Sequence, residues 1–459
     1  MQGVVAVVLA AGQGKRMKSD LPKVLHRVAG LPLVAHVLRS VAEAGIGEAI
    51  VVIGRKGELV REALGEGYRY AVQEEPRGTG DAVLRALPLV PSGCEDVLVL
   101  CGDTPLIKPE TLVRLVEERR RADAAAAILT SIFDDPTGYG RVLRGEDGLV
   151  RGIVEESDAT PEEKGIKEVN TGTYVFRRDA LERTLPKLQP DNAQGEYYLT
   201  DCIALLRAEG LAVAAVVAPP DETAGINDRR QLAAAERILR LRECERLMDE
   251  GVTILDPAVT YIDRGVRVGR DTVIYPFTFL EGSTSVGEGC VIGPGTRVID
   301  SRIGDGVEIQ QSLVVGSDVG DRCRIGPYAY LRPGTALAED VKVGDFVELK
   351  KARIGRGSKV PHLSYIGDAV IGSDVNIGAG TITCNFDGFA KHETRIGDGA
   401  FIGSNTNLVA PVTVGERAVT GAGSTITKDV PAEALAVERS RQVVVPGWAK
   451  KRAERGKER

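Results

Sequence analysis

The order of hydrophobic and polar positions divides the 459-residue chain into two parts with different periods. In the first part, apolar runs alternate with amphipathic stretches. The run "VVAVVLA" from Val4 is typical of a buried strand, and "PLVAHVLRSVAEAG" is typical of a helix that ends at Gly45. Strands that alternate with helices predict a mostly parallel sheet covered on both faces. Further strands are predicted at "EAIVVIG" (48–54) and "DVLVLCGDTPLI" (96–107), and a loop that leads into a helix at "GTGDAVLRALPLV" (78–90).

The second part begins after a stretch rich in Ala, Leu, Glu and Arg, residues 227–250, which predicts one long helix ended by Gly251. From there an aliphatic residue recurs at every sixth position, often followed by glycine. The recurring positions are Val268, Ile274, Leu280, Val286, Ile292, Val298; Val319, Ile325, Leu331, Leu337, Val343, Leu349; and Ile396, Ile402, Leu408, Val414, Thr420, Ile426. This period predicts a parallel β-helix whose triangular coils enclose these side chains. The stretch "TCNFDGFAKHETRIG" (383–397) interrupts the period and predicts an external loop.

Composition narrows the function classes. A net charge of −6 and an aromatic content of 4% argue against a nucleic-acid surface or a base-stacking platform. The seven cysteines form no Cys-x-x-Cys pair, which favours free thiols in a reducing compartment over disulfides or a zinc site. The chain shows neither a signal pattern nor an apolar run long enough to span a bilayer, so we expect a cytoplasmic protein without a membrane partner.

The loop after the first strand is the first candidate site. Gly12-x-Gly14 lacks the third glycine of a dinucleotide fingerprint, because Met17 stands there, and no G-K-[ST] follows. Four cations surround the glycines: Lys15, Arg16, Lys18 and Lys23. Glycines let backbone N–H groups approach an anion, and the cations neutralise its charge. The loop therefore predicts a triphosphate site, with a solvated strand-to-helix turn as the alternative.

The loop "LAAGQGKRMKSDLPKVL" (9–25) closely resembles the signature of sugar-phosphate nucleotidyltransferases. Other stretches agree with it: "QEEPRGTGDA" (73–82), "CGDTPL" (101–106), "DDPTGYGRV" (134–142), "GIVEESD" (152–158), "VNTGTYVF" (169–176), "NAQGEYYLTD" (192–201) and "GIND" (225–228). Together with the hexapeptide part, nearly the whole chain is similar to the bacterial family of bifunctional N-acetylglucosamine-1-phosphate uridyltransferases and glucosamine-1-phosphate acetyltransferases. The resemblance implies an α/β Rossmann-like nucleotidyltransferase domain (1–226), a long linker helix (227–250), a left-handed parallel β-helix acetyltransferase domain (251–437) and a C-terminal tail (438–459).

The resemblance implies that the first domain joins UTP to a sugar 1-phosphate with the help of Mg²⁺. Two anions must meet there, so the site has to supply positive charge and in-line geometry. Asp103 and Asn227 are the implied metal ligands. On the residues alone, Asp103 is the first choice of ligand because it follows the third strand, with a turn or helix cap before Pro105 as its alternative. For Asn227 the N-cap of the linker helix is equally supported.

The other implied residues of this site bind the nucleotide and the sugar. The residues that border the nucleotide are Leu9, Ala10, Ala11, Gly12, Cys101 and Gly102, and those that read the uracil are Gln73, Gly78 and Thr79. The phosphates are faced by Arg16 and Lys23, and the sugar is held by Gly140, Glu155 and Asn170. By propensity alone Glu155 is a surface acid. The family commonly has tyrosine where Cys101 stands. We expect Cys101 to pack at the strand end, and a reactive thiol is the alternative.

The resemblance implies a second site on the β-helix, where an acetyl group passes from acetyl-CoA to a sugar amine. The amine must lose a proton, so a base that titrates near neutrality helps. His362 aligns with the base of the family, whereas His26 and His36 suit structural roles and His392 a solvated loop. A structural role for His362 is the alternative.

The remaining residues of the second site are carried over from the family. The sugar phosphate is bound by Arg332 and Lys350, and the sugar is contacted by Tyr365, Asn376, Asn385 and Phe386. The coenzyme A groove is lined by Ala379, Ser404, Ala422 and Arg439. The pair Lys350-Lys351 equally suits a solvated outer face. Phe386 replaces a tyrosine of the family, which keeps the ring and loses a hydroxyl. The basic tail suits a frayed, solvated end.

The resemblance also implies homotrimers with the second site shared between neighbouring subunits. Two other functions compete with a two-site enzyme. One is a nucleotidyltransferase whose β-helix only regulates, and the other is a trimeric scaffold or nucleotide-sugar-binding module without turnover. The joint presence of His362, Lys350, Arg332 and Asn385 argues against the first of these.

Overall fold

The computed structural model describes residues 1–12 and 14–457. Its contacts divide the chain into two compact units, with the boundary after Arg242. Residues 458 and 459 of the predicted tail lie outside the described residues. Among the residues described, no helix has both the length and the apolar composition that a bilayer crossing requires.

The first unit alternates strands and helices. Its strands are β1 Val4–Ala10, β2 Arg27–Val28, β3 Leu31–Pro32, β4 Ala49–Ile53, β5 Arg69–Val72, β6 Asp96–Cys101, β7 Ala126–Ile132, β8 Arg141–Arg144, β9 Val150–Val154, β10 Glu168–Arg177 and β11 Val213–Val217. Its α-helices are α1 Leu33–Glu43, α2 Gly57–Leu64, α3 Thr79–Ala86, α4 Pro109–Arg121, α5 Pro161–Lys164, α6 Arg178–Thr184, α7 Asp201–Ala208, α8 Pro220–Thr223 and α9 Arg229–Asp249, and α9 continues into the second unit. Short 3-10 helices lie at Lys15–Met17, Lys23–Leu25, Leu87–Leu89 and Leu185–Lys187.

The main sheet has the order β11-β7-β10-β6-β1-β4-β5. Both of its faces are buried, because Val5 and Val7 of β1 belong to one apolar core and Val4 and Val8 to another. This is why β1 is a continuous apolar run rather than an alternating one. Strand β10 runs antiparallel to both β6 and β7, a reversal that the apolar pattern of a strand does not encode.

The strand order brings two carboxyl ends together. β1 pairs in parallel with β6, with Leu9 opposite Cys101, so the glycine loop after β1 and the Cys101-Gly102-Asp103 segment share one edge of the sheet. β4 lies on the other side of β1 and ends at the same edge. This edge is where a ligand of an open α/β sheet is expected.

The second unit is a parallel β-helix. Its strands, β12 to β39, are Thr253–Ile254, Tyr261–Ile262, Arg267–Val268, Val273–Ile274, Phe279–Glu281, Ser285–Val286, Val291–Ile292, Arg297–Ile299, Arg302–Ile303, Glu308–Ile309, Leu313–Val315, Asp318–Val319, Arg324–Ile325, Tyr330–Leu331, Ala336–Leu337, Lys342–Asp345, Glu348–Ile354, Lys359–His362, Tyr365–Ile371, Asn376–Ile377, Ile382–Cys384, Thr394–Ile396, Phe401–Ile402, Asn407–Val409, Val412–Val414, Val419–Thr420, Thr425–Ile426 and Leu435–Ala436. A 3-10 turn lies at Pro257–Val259 and helix α10 at Trp448–Lys457.

The hexapeptide prediction is confirmed. Every aliphatic or threonine position of the three six-residue series is buried, and all but Thr420 belong to one continuous apolar core. The interruption at 383–397 is shorter than predicted, because residues 383 and 384 lie in strand Ile382–Cys384 and residues 394–396 lie in strand Thr394–Ile396. The tail, expected to be frayed, contains exposed helix α10.

Candidate active sites

A cavity of about 460 Å³ opens at the shared strand edge of the first unit. Nine residues predicted from the sequence line it: Leu9, Ala11, Gly12, Lys23, Gln73, Gly78, Thr79, Cys101 and Asp103. Lys15, one of the four cations predicted around the glycine loop, also lines it. Val24, Pro76, Ala82 and Glu196 line it as well and were not predicted from the sequence. The sequence therefore located most of the wall from motifs far apart along the chain.

A lysine connects the two predicted metal ligands. The Lys23 ammonium forms an ion pair with the Asp103 carboxylate and donates a hydrogen bond of 3.0 Å to Asn227 Oδ1. The side chains of Lys23 and Asp103 are only 13% and 18% exposed. A carboxylate and an amide oxygen thus converge on one cationic group at the cavity wall, which is the donor chemistry that hard divalent cations prefer.

Two contacts explain why Asn227 reaches this point. Its neighbour Ile226 donates its backbone N–H to the carbonyl oxygen of Asp103 at 2.9 Å. Helix α9 is capped by Asp228, whose Oδ1 accepts from the N–H groups of Arg230 and Gln231 at 2.8 and 2.9 Å. The capping role that the sequence left open for Asn227 belongs to Asp228, so the amide of Asn227 is directed to Lys23.

Three predicted residues lie beside the cavity rather than in its wall. Ala10 is buried in the apolar core. Gly102 packs against the backbone of Leu9, since an added Cβ would lie 3.0 Å from the Leu9 carbonyl oxygen. The side chain of Arg16 is exposed on the 3-10 turn after the glycine loop.

The predicted uracil reader is preorganised. The Gln73 amide donates from Nε2 to the Gly78 carbonyl at 3.0 Å and to Asp81 Oδ2 at 2.8 Å, and the residue is 5% exposed. Thr79 Oγ1 accepts from the Leu199 N–H at 3.1 Å. Both N–H donors of the Gln73 amide are engaged inside the protein. Its Oε1 is the atom that remains to contact a ligand, and it does so as a hydrogen-bond acceptor.

The predicted sugar residues form a second group next to Cys101. An added Cβ at Gly140 would lie 3.2 Å from Glu155 Oε2, and the Asn170 N–H donates to the Gly140 carbonyl at 2.8 Å. Desolvation by burial raises the pKa of Glu155, which also accepts a 3.4 Å hydrogen bond from Thr200 Oγ1. Glu155 is therefore not the solvated surface acid that propensity favours.

Cys101 lines the nucleotide cavity, and the charge of Glu155 acts on its thiol. Its thiol lies 3.6 Å from the Gly172 carbonyl oxygen. Burial, and then the negative charge of Asp103, raise the pKa of the Cys101 thiol to about 12. The thiol is protonated at neutral pH, which opposes the reactive-thiol alternative and agrees with a packing role.

On the β-helix, the predicted base and the predicted coenzyme A residues occupy one corner in successive coils. Backbone hydrogen bonds at this corner run from Leu363 to Asp345, Gly380 to His362, Asn405 to Ala379, and Gly423 to Ser404, at 3.0, 3.3, 2.8 and 2.8 Å. The Arg439 guanidinium donates to the Ala422 carbonyl at 3.0 Å. The corner therefore carries Asp345, His362, Ala379, Ser404 and Ala422 as one row.

Of the predicted sugar-phosphate residues, Arg332 follows strand Tyr330–Leu331 directly and Lys350 lies in strand Glu348–Ile354. Arg332 pairs with Glu348 at 2.9 Å. Lys350 lies opposite Gly367 in the ladder. The excursion loop returns Lys391 to the neighbourhood of Lys350, and that contact is the largest cause of a lowered pKa of Lys391. Two ammonium groups held together favour a bound anion.

The sugar-contact candidates also converge. Asn385 Nδ2 donates to Asp368 Oδ2 and lies 3.5 Å from the Tyr365 hydroxyl. Phe386 is 59% exposed and forms an isolated bridge with Lys391 at the base of the loop. Asn376 lies opposite Lys359 in the coil that follows His362.

The other three histidines have structural partners. His36 is fully buried and its Nε2 contacts the Val28 carbonyl at 2.8 Å. Burial and then Arg229 lower the pKa of His26, whose Nδ1 lies 3.2 Å from that guanidinium. His392 is not simply solvated as expected, because its Nε2 lies 2.7 Å from Asp387 Oδ2 within the excursion loop.

Three polar residues of the second site were missed from the sequence: Asp345, Glu348 and Lys391. Asp345 had a usable signal, because it lies 17 residues before His362, which is about one coil of the repeat. Glu348 had a similar signal, because it lies in the coil after Arg332, opposite Tyr330 in the ladder. Lys391 had no such signal, since it belongs to the loop that leaves the repeat.

Comparisons with known families agree with this architecture. The model of the MobA-like NTP transferase domain matches residues 6–163, that of the GMPPB C-terminal domain matches 257–359, and that of the bacterial transferase hexapeptide (six repeats) matches 393–428. The first match covers the strand edge with the cavity, and the third covers coils that carry Ser404 and Ala422.

Curated relatives match over almost the entire chain. Bifunctional protein GlmU of Heliobacterium modesticaldum is 59% identical, over 96% of this chain and 96% of that protein. The GlmU proteins of Pelotomaculum thermopropionicum and Syntrophomonas wolfei are 59% and 52% identical, covering 98% and 96% of this chain and 99% and 98% of those proteins. The resemblance inferred from the motifs is confirmed. The chain belongs to the family of bifunctional GlmU proteins.

Proposed function

We propose that this chain catalyses two transfers: acetyl from acetyl-CoA to glucosamine 1-phosphate, and uridylyl from UTP to N-acetylglucosamine 1-phosphate with release of pyrophosphate. The observation that carries the proposal is 59% identity to a bifunctional GlmU protein over 96% of the chain, with both candidate sites inside the matched length. This argues against a regulatory or scaffold role for the β-helix, because the second site has its own base, cations and amides.

In the uridylyl site, a sugar-phosphate oxygen attacks the α-phosphorus of UTP as the bond to pyrophosphate breaks. Lys23 and Lys15 at the cavity wall supply positive charge to the triphosphate. Gly14, with φ 61°, lets the loop turn close to Lys23. Gln73 Oε1 accepts from the uracil imide N–H, while Gly78 and Thr79 contact the remaining edge.

The family implies Mg²⁺ for this step, and the donor set fits it, because Asp103 and Asn227 already direct oxygens at a cation, the Lys23 ammonium. We infer that these two residues hold the metal. When bound, it offsets the negative charge of the phosphates. With these two oxygens held by the metal, the Lys23 ammonium would leave them and pair with a phosphate oxygen. Gly140, Glu155 and Asn170 hold the sugar beside Cys101.

In the acetyl site, the amine of glucosamine 1-phosphate attacks the thioester carbonyl. The new C–N bond forms, the C–S bond breaks, and the amine proton passes to His362. The sugar phosphate rests on Arg332, Lys350 and Lys391, and the coenzyme A chain follows the row of Ala379, Ser404 and Ala422 toward Arg439. Tyr365, Asn376 and Asn385 contact the sugar hydroxyls.

We further propose a homotrimer in a reducing, cytoplasmic compartment. An exposed apolar strip supports association between copies: Tyr328, Phe346 and Leu363 are 53%, 58% and 59% exposed, and the first two rings stack at 5.4 Å. None of the seven cysteines, all of which lie within the described residues, forms a disulfide, which supports the compartment. Light scattering tests the trimer: a mass three times that of the chain is expected, and a monomeric mass would refute it.

Two assays test the activities on the wild-type chain. Thiol release from acetyl-CoA with glucosamine 1-phosphate measures the first, and pyrophosphate release from UTP, Mg²⁺ and N-acetylglucosamine 1-phosphate measures the second. We expect both. No thiol release would leave a single-site nucleotidyltransferase, and no pyrophosphate release would refute the uridylyl site.

A further inference from the structure

A short side-chain contact joins His362 to an acid that the sequence did not single out. His362 Nδ1 lies 2.6 Å from Asp345 Oδ1. The two side chains are 55% and 37% exposed, so the pair lies at the protein surface, where a ligand can reach it. At 2.6 Å this is a charge-assisted hydrogen bond rather than a loose surface ion pair.

The coil geometry fixes the two residues one above the other. Strands Lys342–Asp345 and Lys359–His362 pair in parallel with Asp345 opposite His362. Residues directly opposite on neighbouring strands have their Cβ atoms about 5 Å apart. The turn that follows each strand has the same shape, because Phe346 and Leu363 have φ of 54° and 47°. The pair is thus set by the repeat itself, not by flexible side chains.

Among the described residues, the next coil places no polar side chain beside His362 in this row. The residues that follow His362 in the row are Ala379 and Gly380, and neither has a polar side chain. The His362 hydrogen bond is the largest cause of a lowered pKa of Asp345, with its own backbone N–H and Lys342 adding. The carboxyl is therefore ionised at neutral pH and accepts.

This arrangement decides the tautomer of the imidazole. A neutral imidazole carries one proton, and the nitrogen without it is the base. With Nδ1–H donated to Asp345, Nε2 holds the free lone pair. We propose that Asp345 is the positioning residue of the acetyl-transfer base, holding His362 in the Nδ1–H tautomer with Nε2 presented to the amine. The inference rests on the proposed acetyltransferase function.

The proton balance is complete with these two residues. Nε2 accepts the proton that the attacking amine loses, and His362 becomes an imidazolium whose Nδ1–H still points at the Asp345 carboxylate. That charge pairing stabilises the imidazolium without moving a proton to Asp345. Coenzyme A leaves as the thiolate and takes the proton back.

Nitrogen-15 NMR of the full chain, labelled at histidine, reads the tautomer directly. His362 is assigned by its absence in His362→Ala. We expect the neutral ring of the wild type to have a protonated Nδ1 and an unprotonated Nε2, and we expect a shift toward Nε2–H in Asp345→Ala. An Nε2–H tautomer in the wild type would overturn the proposal.

Kinetics separate positioning from folding. Asp345→Ala should lower kcat of acetyl transfer about tenfold or more with KM nearly unchanged, because general-base catalysis contributes about 10²–10⁴-fold. Asp345→Glu keeps a carboxylate that can only accept from Nδ1–H, and it should restore kcat to within about threefold. The matched control is Asp340→Ala, because Asp340 is 39% exposed and pairs at 2.8 Å with Arg322. It should change neither constant.

Uridylyl transfer should be unaltered in all three variants. An unchanged kcat in Asp345→Ala would overturn the proposal. A wild-type chain without acetyl transfer would instead refute the proposed function and the catalytic part of this inference, while the NMR spectrum would still report whether Asp345 sets the tautomer.

Discussion

Substituting Gly78 by alanine tests the uracil-reading loop most sharply. Gly78 has φ 105° and ψ 172°, a backbone conformation that is essentially restricted to glycine. Holding another residue there costs about 1–3 kcal/mol. An added Cβ would also lie 2.5 Å from the Tyr197 carbonyl oxygen and 2.8 Å from its nitrogen, both backbone atoms that cannot rotate away.

The loop must therefore move, and Gln73 Nε2 loses its acceptor at the Gly78 carbonyl. Since each 1.4 kcal/mol is a factor of ten, we expect KM for UTP to rise about 10- to 100-fold. Acetyl transfer should be unchanged, because its residues lie in the second unit.

Gly65 provides a matched control for backbone strain. Its φ of 77° and ψ of −172° fall in the same glycine region, but an added Cβ meets nothing within 4 Å. In a urea titration, Gly65→Ala should lower the free energy of unfolding by the same strain cost of about 1–3 kcal/mol. It should leave KM for UTP unchanged. Steady-state pyrophosphate release measures both variants. Equal KM values in Gly78→Ala and the wild type would refute the assigned role of this loop.

Three further outcomes follow from the sites. Lys391→Met should raise KM for glucosamine 1-phosphate about tenfold, because a hydrogen bond between charged groups contributes about 1.5–3 kcal/mol. The control Lys351→Met should leave this KM unchanged. Thiol-release kinetics compare the two variants, and equal KM values would remove Lys391 from the phosphate site. Burial raises the pKa of Glu155, so the folded state binds the proton of this carboxyl more tightly than the unfolded state does. The free energy of unfolding therefore falls as the pH rises from the pKa of Glu155 in the unfolded state to its higher pKa in the folded state. Glu155→Gln should abolish this fall in urea titrations between pH 4 and 7, and an unaltered pH slope would contradict it. Because the pKa of Cys101 is about 12, iodoacetamide at neutral pH should leave this thiol unmodified in peptide mapping of the native chain, and rapid labelling would restore the reactive-thiol alternative.

The β-helix could be predicted from the sequence because the positions that recur every six residues are the positions that point into the core. Each coil repeats one inward position, so Ile274, Ile292 and Ile309 report the core without any knowledge of the rest of the fold. The direction of β10 did not follow, because an apolar strand has the same pattern in either direction. The boundary of the excursion loop also shifted, since strand residues flank it on both sides.

The candidate sites divide in the same way. Residues at strand ends, such as Leu9 and Asp103, were predictable because parallel strands bring their carboxyl ends together. Pairings across long separations were not. The helix cap that the sequence allowed for Asn227 is formed by Asp228 instead. The partner of His362 lies in the preceding coil, 17 residues earlier in the chain.

The most direct test of two independent sites crosses two variants with two assays. Asp103→Ala should lose uridylyl transfer and keep acetyl transfer, His362→Ala should do the reverse, and each should retain the wild-type circular dichroism spectrum. A mixture of the two variants, given glucosamine 1-phosphate, acetyl-CoA, UTP and Mg²⁺, should form UDP-N-acetylglucosamine that neither forms alone. A folded variant that loses both activities, or a mixture that forms no product, would contradict the account.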